Sequence, residues 1–278
     1  MSQSRFQKGE RRSQPRQNKA LGQVFLKEDW PCTRMLDILK NHGVTHVLEI
    51  GPGAGALTKH LLKGGLHVSC VEKDTRFADL LNEKRDELID GHAGTMEIIN
   101  EDILKFDLAS WIEGKPTSVA VCGNIPYNIS SPILNRVLPL ISKLKIASFL
   151  VQLEFGQRVC ASSGNKNYGS LSVFSQLRSK TNLDFVVSKR CFRPVPKVDS
   201  AVISLKNPVV AYSEELLQKA ETVTRQTFTM RRKKLSNAIA KFINGKDLAN
   251  CPVSLDQRPD VTTPEQFIAL TKFIYDLD

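Results

Sequence analysis

The chain has 278 residues, of which 41% are hydrophobic and 24% charged, and its formal net charge at pH 7 is +10. This composition predicts a globular protein with one large core and a smaller appendage. It excludes a bilayer span, because no apolar run approaches the roughly 20 residues that one needs. Six cysteines are scattered singly without metal-ligand spacing, which predicts reduced thiols, a cytoplasmic location and no metal site.

Positive charge is concentrated in two blocks of the sequence. Residues 1–27 carry seven Lys or Arg against one acid, and residues 189–246 carry thirteen against four, including "MRRKK" at 230–234. Residues 1–18 are predicted to be a basic disordered arm. The two blocks indicate a polyanionic partner that lies across both ends of the fold, with plain solubilising charge as the alternative.

The predicted elements begin with a helix in "DWPCTRMLDILKNHG", capped by Asp29 and ended by Gly43. A strand, a glycine-rich turn, a helix and a second strand follow between residues 44 and 74, which is the β-α-β unit of a parallel sheet. The alternation continues with a helix over residues 75–90 and with strands in "TMEIIN", "SVAVCGN" and "IASFLVQL".

The last two apolar segments, "LDFVVS" and "SAVISLK", are predicted to pair as an antiparallel hairpin at one sheet edge. From about Ser213 the pattern is helical, and the final helix opens on Thr263-Pro264. The sequence therefore predicts an α/β domain over residues 19–207 and a small all-helical domain over residues 208–278.

The stretch "EIGPGAG" stands where the first parallel strand ends. Glycines there let the backbone approach a nucleotide-like ligand, which makes Gly51 and Gly53 candidate cofactor-binding residues. Ala56 occupies the position of the third glycine in a dinucleotide fingerprint, where Ala is allowed, so spacing alone does not exclude a dinucleotide.

Two acids follow at the next strand ends. Glu72 can accept both hydroxyls of a ribose, and Asp102 in "NEDIL" can accept a hydrogen bond from the amine of adenine. This ordered set favours adenosine attached to an uncharged or cationic group, for which S-adenosyl-L-methionine is the obvious candidate. A nicotinamide dehydrogenase is disfavoured.

The fourth strand ends in "GNIPYN", which contains no strong acid, base or nucleophile. The amine of adenine is a poor nucleophile, and acceptors such as the Asn124 side-chain oxygen and the Ile125 carbonyl would favour a more pyramidal nitrogen. Pro126 stiffens the turn, and Tyr127 can stack on the base. Because a paired base cannot reach such a pocket, the target must be single-stranded, looped or flipped out.

A proline-rich loop, "KRCFRPVPKVDSAV", offers an opposite wall. We expect Phe192 to stack on the second face of the base, with Arg193 and Lys197 near phosphates. The alternative for Phe192 is a buried loop anchor. The "MRRKK" cluster would oppose the helix dipole if it opened a helix, which favours phosphate contact by Arg231, Arg232, Lys233 and Lys234.

The order of motifs resembles the ribosomal RNA adenine N6,N6-dimethyltransferase family, specifically its small-subunit (KsgA) type, from Lys19 to the C-terminus. The motifs are "LGQVFL", "EIGPGAGALT", "VEKD", "EDIL", "GNIPYNISSPIL", "NKNYGSLSV", "FRPVPKVDSAVISL" and "MRRKKLSNAI". The resemblance implies that residues 19–207 are a Rossmann-like, S-adenosylmethionine-dependent methyltransferase catalytic domain and that residues 208–278 are a helical RNA-binding domain. It also implies transfer of four methyl groups to two adjacent adenosines in the 3′-terminal hairpin loop of 16S rRNA, in a small-subunit assembly intermediate. We expect a monomer.

The resemblance also implies site residues. The donor-binding positions of the family match Val24, Leu26, Gly51, Glu72, Asp102 and Asn124. Asn124 to Tyr127 match the target-base motif, and Phe192 matches an aromatic residue at the mouth of the site. Val24 and Leu153 depart from the family pattern, which usually has Asn or His and Lys at these positions.

Two other functions remain open at this point. A large-subunit rRNA dimethyltransferase of the antibiotic-resistance type shares the cofactor set and the Asn-x-Pro-Tyr motif, although "PKVDSAV" and "MRRKKLSNAI" favour the small-subunit type. If the protein were a non-catalytic ribosome-assembly factor, we would expect Glu72, Asp102 or the Asn-Ile-Pro-Tyr turn to be replaced by other residues. All of them are present. Nothing resembles the sequence-reading domain of a DNA adenine methylase.

Overall fold

The computed structural model describes residues 23–208, 210–243 and 245–277. The basic arm predicted for residues 1–18 lies outside this part of the chain, as does Lys19. Nine strands are described, and their bounds are β1 (Phe25–Leu26), β2 (His46–Ile50), β3 (His67–Glu72), β4 (Met96–Asn100), β5 (Val119–Asn124), β6 (Ile146–Gln152), β7 (Lys180–Val187), β8 (Phe192–Arg193) and β9 (Ser200–Lys206).

Eleven α-helices are described in the same residues. Their bounds are α1 (Trp30–Asn41), α2 (Ala56–Lys63), α3 (Thr75–Glu83), α4 (Arg85–Ile89), α5 (Leu108–Glu113), α6 (Ser130–Val137), α7 (Leu153–Val159), α8 (Ser170–Arg178), α9 (Glu214–Thr229), α10 (Leu235–Ala238) and α11 (Pro264–Tyr275). The single helix predicted over residues 75–90 is two helices, because the backbone leaves helical geometry at Lys84. None of the described helices is long and apolar enough to cross a membrane.

Seven strands form one sheet in the order β4-β3-β2-β5-β6-β9-β7. The first five are parallel, and β9 runs antiparallel to both β6 and β7. The predicted edge hairpin is thereby confirmed. Chain order reverses between β2 and β5, and ligands of open α/β sheets bind at the carboxyl ends of the strands beside such a reversal.

The two faces of the sheet bury separate apolar clusters. Along β2, Val47 packs with Met35 of α1 on one face, and the next residue, Leu48, packs with Ile133 of α6 on the other. This period of two is the normal alternation of a strand, and strands covered on both faces read as continuous apolar runs. The covered sheet is a rigid base for the loops at its carboxyl edge.

A second sheet consists of only β1 and β8, which pair antiparallel with Phe25 opposite Arg193 and Leu26 opposite Phe192. The main-chain N–H of Lys27 extends the pairing by donating to the Cys191 carbonyl at 2.9 Å. This short ribbon joins residues near the start of the described chain to the loop that precedes β9. Sequence analysis did not predict it, because two-residue strands carry no periodicity.

Strand structure ends at Lys206 and helix α9 starts at Glu214, as the composition shift predicts. The helices after this point share a core with α8, since Tyr168 and Val173 cluster with Leu217 and Phe267. Buried Tyr168 also donates its hydroxyl to the Thr262 carbonyl at 2.8 Å. The division at residues 207 and 208 remains a prediction, and packing is continuous across it.

Candidate active site

A cavity of about 640 Å³ opens at the carboxyl edge of the sheet, where chain order reverses between β2 and β5. Its volume lies within the usual range for a small-molecule site. All seven residues predicted to bind the cofactor line it, and they are Val24, Leu26, Gly51, Gly53, Glu72, Asp102 and Asn124. The structure thus brings together residues from β1 and from the ends of β2, β3, β4 and β5.

The glycine turn after β2 depends on left-handed backbone at Gly51 and Gly53, whose φ angles are +64° and +55°. A Cβ on Gly53 would lie 2.9 Å from Cε1 of Phe25, so the ring of Phe25 packs where a side chain would stand. Phe25 also contacts Phe77 of α3, with ring centroids 5.3 Å apart. The turn is therefore shaped by both backbone angle and close approach.

Glu72, at the end of β3, holds the same turn through its carboxylate. One oxygen accepts the main-chain N–H of Gly53 at 3.0 Å, and the other accepts that of Asp74 at 2.9 Å. Burial raises the pKa of this carboxyl, while the two N–H donors act in the opposite direction. Because a carboxylate has about four lone-pair sites, two remain that can accept ribose hydroxyls.

Asp102 follows β4 and faces the same cavity. Its Oδ2 accepts a hydrogen bond from Nζ of Lys73 at 2.8 Å, and its Oδ1 accepts the N–H of Leu104 at 3.0 Å. The Lys73 contact is the main cause that lowers the pKa of Asp102. Asp102 is thus ionised at neutral pH, and its partner Lys73 is exposed.

Asn124, the last residue of β5, has a half-satisfied side chain. Its Nδ2 donates to the Val24 carbonyl at 2.9 Å, whereas its buried Oδ1 has no hydrogen-bond partner among the described residues. Buried polar atoms without partners are uncommon and often mark a ligand site. The preceding residue must be glycine, since a Cβ on Gly123 would lie 2.4 Å from the Ile50 carbonyl oxygen.

The rest of the Asn-Ile-Pro-Tyr turn is firmly held. Buried Ile125 donates its N–H to the Leu150 carbonyl at 3.2 Å, and the Pro126 carbonyl accepts from the N–H of Ile129 at 3.1 Å. Tyr127 begins a 3₁₀ turn and is half-buried, with its hydroxyl oxygen 2.7 Å from Oγ of Ser200. Of the predicted base-binding turn, Asn124 and Pro126 line the cavity, whereas Ile125 and Tyr127 are not among its lining residues.

Phe192 does not stand where sequence analysis expected it. Its side chain is 1% exposed and packs in the core cluster that contains Leu26, to which it is also paired in the small sheet. A side chain in this position cannot stack on a base unless β8 leaves β1. The structure corrects the expectation in favour of the buried anchor. Arg193 and Lys197 are exposed, and their contact with phosphates remains a prediction.

The "MRRKK" cluster stands between two helices, and only Lys234, the N-cap of α10, lies at a helix N-terminus, so the helix-dipole argument applies to that residue alone. Residues 230–233 follow the C-terminus of α9, where positive charge is favourable. Arg231 donates to the Lys166 carbonyl at 2.8 Å, and Lys234 pairs with Asp256 at 2.7 Å. Arg232 and Lys233 are exposed. RNA contact by the cluster remains a prediction and rests on these two exposed residues.

One acid of the cavity was not singled out from the sequence. Glu49, inside β2, is 1% exposed, lines the cavity and accepts a hydrogen bond from Oγ1 of Thr58 at 2.7 Å. Burial raises the pKa of this carboxyl to about 7. The sequence does show an acid within an otherwise apolar strand. Such an acid is normally interpreted as a solvated side chain, unless the strand is known to be covered on both faces.

Fold and cavity together are those of an α/β methyltransferase, with a glycine turn after β2 and a buried, unpartnered acceptor at the end of β5. The chain belongs to the ribosomal RNA adenine dimethylase family, whose model matches residues 14–276. The family to which the motifs pointed is confirmed. The protein is an S-adenosylmethionine-dependent rRNA adenine dimethyltransferase.

Several relatives are similar over nearly the whole chain, and each is named ribosomal RNA small subunit methyltransferase A. The protein of Francisella tularensis subsp. novicida (strain U112) is 35% identical over 92% of this chain and 97% of its own. That of Flavobacterium johnsoniae is 37% identical over 92% and 95%, and that of Parabacteroides distasonis is 38% identical over 91% and 92%.

Two solved structures share the fold. The 23S rRNA methyltransferase ErmE superposes with a TM-score of 0.67 at 25% identity, covering 90% of this chain and 99% of its own. A dimethyladenosine transferase of Plasmodium falciparum also gives a TM-score of 0.67, at 23% identity and coverages of 88% and 95%. The Rossmann-like methyltransferase domain expected from the sequence is thereby confirmed.

The cavity fits S-adenosylmethionine. Gly51 has open space where a side chain would stand, Glu72 keeps two lone-pair sites, and Asp102 is a carboxylate whose partner Lys73 is exposed. Glu49 adds a second buried carboxyl, which suits a cationic ligand. Among the described residues, no cluster of His, Cys, Asp or Glu could hold a metal ion.

Proposed function

We propose that this protein dimethylates N6 of two adjacent adenosines in the 3′-terminal hairpin loop of 16S rRNA. The substrate is a small-subunit assembly intermediate, and the enzyme acts as a monomer in the cytoplasm. The choice of subunit is supported by relatives at 35–38% identity that are named small subunit methyltransferases. The "PKVDSAV" and "MRRKKLSNAI" segments support the same choice.

The unpartnered Oδ1 of Asn124 is the observation that carries the chemical part of the proposal. It is a buried acceptor at the edge of the donor cavity, and its orientation is fixed by the bond from Nδ2 to the Val24 carbonyl. An adenine amine entering the site satisfies this acceptor and releases the cost of leaving it unpaired. The site therefore favours a base that presents an N–H donor.

The residues of the turn act by position rather than by acid–base chemistry. S-adenosylmethionine supplies a methyl group that is already activated by its sulfonium. Asn124 Oδ1 and the Ile125 carbonyl accept the two hydrogens of N6, which turns the nitrogen lone pair toward the donor, and Tyr127 holds the base in line. The nitrogen loses its proton after it becomes cationic, so the site needs no strong base.

Recognition of RNA is assigned to exposed cations at two places. Arg193 is the last residue of β8, Lys197 lies on the loop between β8 and β9, and Arg232 and Lys233 lie between α9 and α10. Phosphate contacts of this kind give affinity that falls with salt, while the identity of the target base is selected at Asn124. The base reaches the cavity only from an unpaired or flipped nucleotide.

The proposal is tested by methyl transfer from labelled donor to isolated small and large ribosomal precursor particles. We expect label only in small-subunit rRNA, recovered as N6,N6-dimethyladenosine at two neighbouring positions. Label confined to large-subunit rRNA would assign the function of ErmE instead. No transfer by the wild type, with assembly intact for Asn124→Ala, would favour a non-catalytic assembly factor.

A further inference from the structure

Tyr127 is anchored at the far end of its side chain. Its hydroxyl oxygen lies 2.7 Å from Oγ of Ser200, and the ring is half-buried. Burial raises the pKa of the phenol, so the hydroxyl stays protonated at neutral pH and can donate this hydrogen bond. The ring is therefore tied to β9, seventy-three positions along the chain, as well as to its own turn.

Ser200 is a rigid anchor point. It is fully buried at the first position of β9, where it pairs with Gln152 of β6 on one side and Val187 of β7 on the other. Asp199, the residue before Ser200, is also held by hydrogen bonds to two neighbouring segments. The Asp199 carbonyl accepts the N–H of Leu153 at 3.0 Å, and its carboxylate accepts the N–H of Lys189 at 2.8 Å.

We propose that Ser200 is a positioning residue for methyl transfer. Its hydroxyl holds the Tyr127 ring at one place, next in the chain to Pro126 of the cavity wall, so that the target base stacks with N6 in line with the methyl group. Without this bond the ring can rotate about its Cα–Cβ axis, and misplacement by about 1 Å can cost up to about 100-fold in rate. The inference rests on the proposed function, which assigns Tyr127 to the base.

The test compares Ser200→Ala, Tyr127→Phe and the double variant with Ser204→Ala as the control. Ser204 is buried on the same strand and donates to Oδ1 of Asp184 at 3.2 Å, so its loss removes an equivalent hydroxyl away from the site. Single-turnover rates are measured on small-subunit particles with saturating donor and RNA. The donor dissociation constant is measured separately by calorimetry.

We expect each single variant at Ser200 or Tyr127 to lower the single-turnover rate about five- to tenfold, because one hydrogen bond is lost. The double variant should be no slower than either single variant, since both remove the same bond. Donor affinity should be unchanged in all of them, and Ser204→Ala should keep the wild-type rate within about twofold.

Wild-type rates for Tyr127→Phe would overturn the inference, even if Ser200→Ala failed to fold. Effects that multiply in the double variant would also overturn it, because Ser200 would then act independently of the tyrosine hydroxyl. Failure of the wild type to methylate either subunit contradicts the proposed function. If the wild type is active and Ser200→Ala has the wild-type single-turnover rate, only the positioning role of Ser200 is contradicted.

Discussion

The side-chain amide of Asn124 donates a hydrogen bond of 2.9 Å to the main-chain carbonyl of Val24, one hundred positions earlier in the chain. This contact joins the strand end expected to bind the base with the segment expected to bind the methyl donor. It also fixes the orientation of the amide, because Nδ2 is used and the buried Oδ1 is left without a partner among the described residues. Since the family position of Val24 usually holds Asn or His, a main-chain contact explains why Val is compatible with the site.

The variant Asn124→Asp distinguishes the role of the amide nitrogen, Nδ2, from that of the amide oxygen, Oδ1. Aspartate keeps an acceptor toward the cavity but cannot donate to the Val24 carbonyl, so two oxygens would face each other. We expect the methyl-transfer rate to fall about 100-fold or more, the size of effect seen when one preorganised polar group is lost from a site. Steady-state kinetics on small-subunit particles measure it. The exposed Asn135 of α6 provides the control, and Asn135→Asp should retain at least half of the activity.

Gly53→Ala should impair binding of the donor. The new Cβ would lie 2.9 Å from the Phe25 ring and would sit on a backbone with φ of +55°. We expect donor affinity to fall about tenfold or more, with a stability loss of about 1 kcal/mol from the backbone alone. Gly65→Ala is matched in its positive φ but meets nothing within 4 Å, so it should cost stability without changing donor affinity.

Glu49→Gln should change how stability depends on pH. Burial raises the pKa of Glu49 from 4.5 to about 7, so the native state holds this proton more tightly than the unfolded chain does. The favourable contribution of the protonated form is present below about pH 4.5 and is lost as pH rises through 7. The wild type should therefore lose up to about 3 kcal/mol relative to Glu49→Gln across this window.

Denaturant unfolding of both proteins at pH 5, 6, 7 and 8 measures this difference. Parallel stability curves for the two proteins would contradict it. Because the ionised carboxylate also suits a cationic ligand, donor affinity of the wild type should rise between pH 6 and 8. Donor affinity of Glu49→Gln should stay flat over the same range, which separates the carboxylate from general effects of pH.

Tyr168→Phe should loosen the packing between the sheet domain and the C-terminal helices. The buried hydroxyl donates to the Thr262 carbonyl at 2.8 Å, and its removal leaves that carbonyl unpaired. We expect the free energy of unfolding to fall by about 1–3 kcal/mol with donor affinity unchanged. Thermal unfolding and calorimetry measure the two quantities. A variant with wild-type stability would show that this bond is dispensable for the shared core.

Charge reversal at Arg232 and Lys233 should weaken RNA binding and reduce its salt dependence. If each contacts one phosphate, the slope of log affinity against log salt should drop by about 0.7–0.9 for each residue. Lys143→Glu with Lys145→Glu gives the same change in net charge at the opposite, amino-terminal end of β6. Equal slopes for both double variants would mean that only overall charge matters.

Sequence patterns predicted those features of the molecule that depend on residues close together in the chain. The glycine turn, the parallel strands and the edge hairpin follow from periodicity and turn residues, and Glu72, Asp102 and Asn124 meet because parallel strands end at one edge. Contacts between distant residues could not be predicted in this way. The pairing of Leu26 with Phe192 buries a ring expected at the mouth of the site, and the bond from Tyr127 to Ser200 depends on where β9 enters the sheet.

Mapping of N6,N6-dimethyladenosine in rRNA from cells that lack the protein tests the central claim most directly. The account predicts that two adjacent adenosines near the 3′ end of the small-subunit rRNA are unmodified in these cells. The wild-type gene should restore both modifications and Asn124→Ala should restore neither. Full dimethylation of both adenosines without the protein, or full restoration by Asn124→Ala, would contradict it.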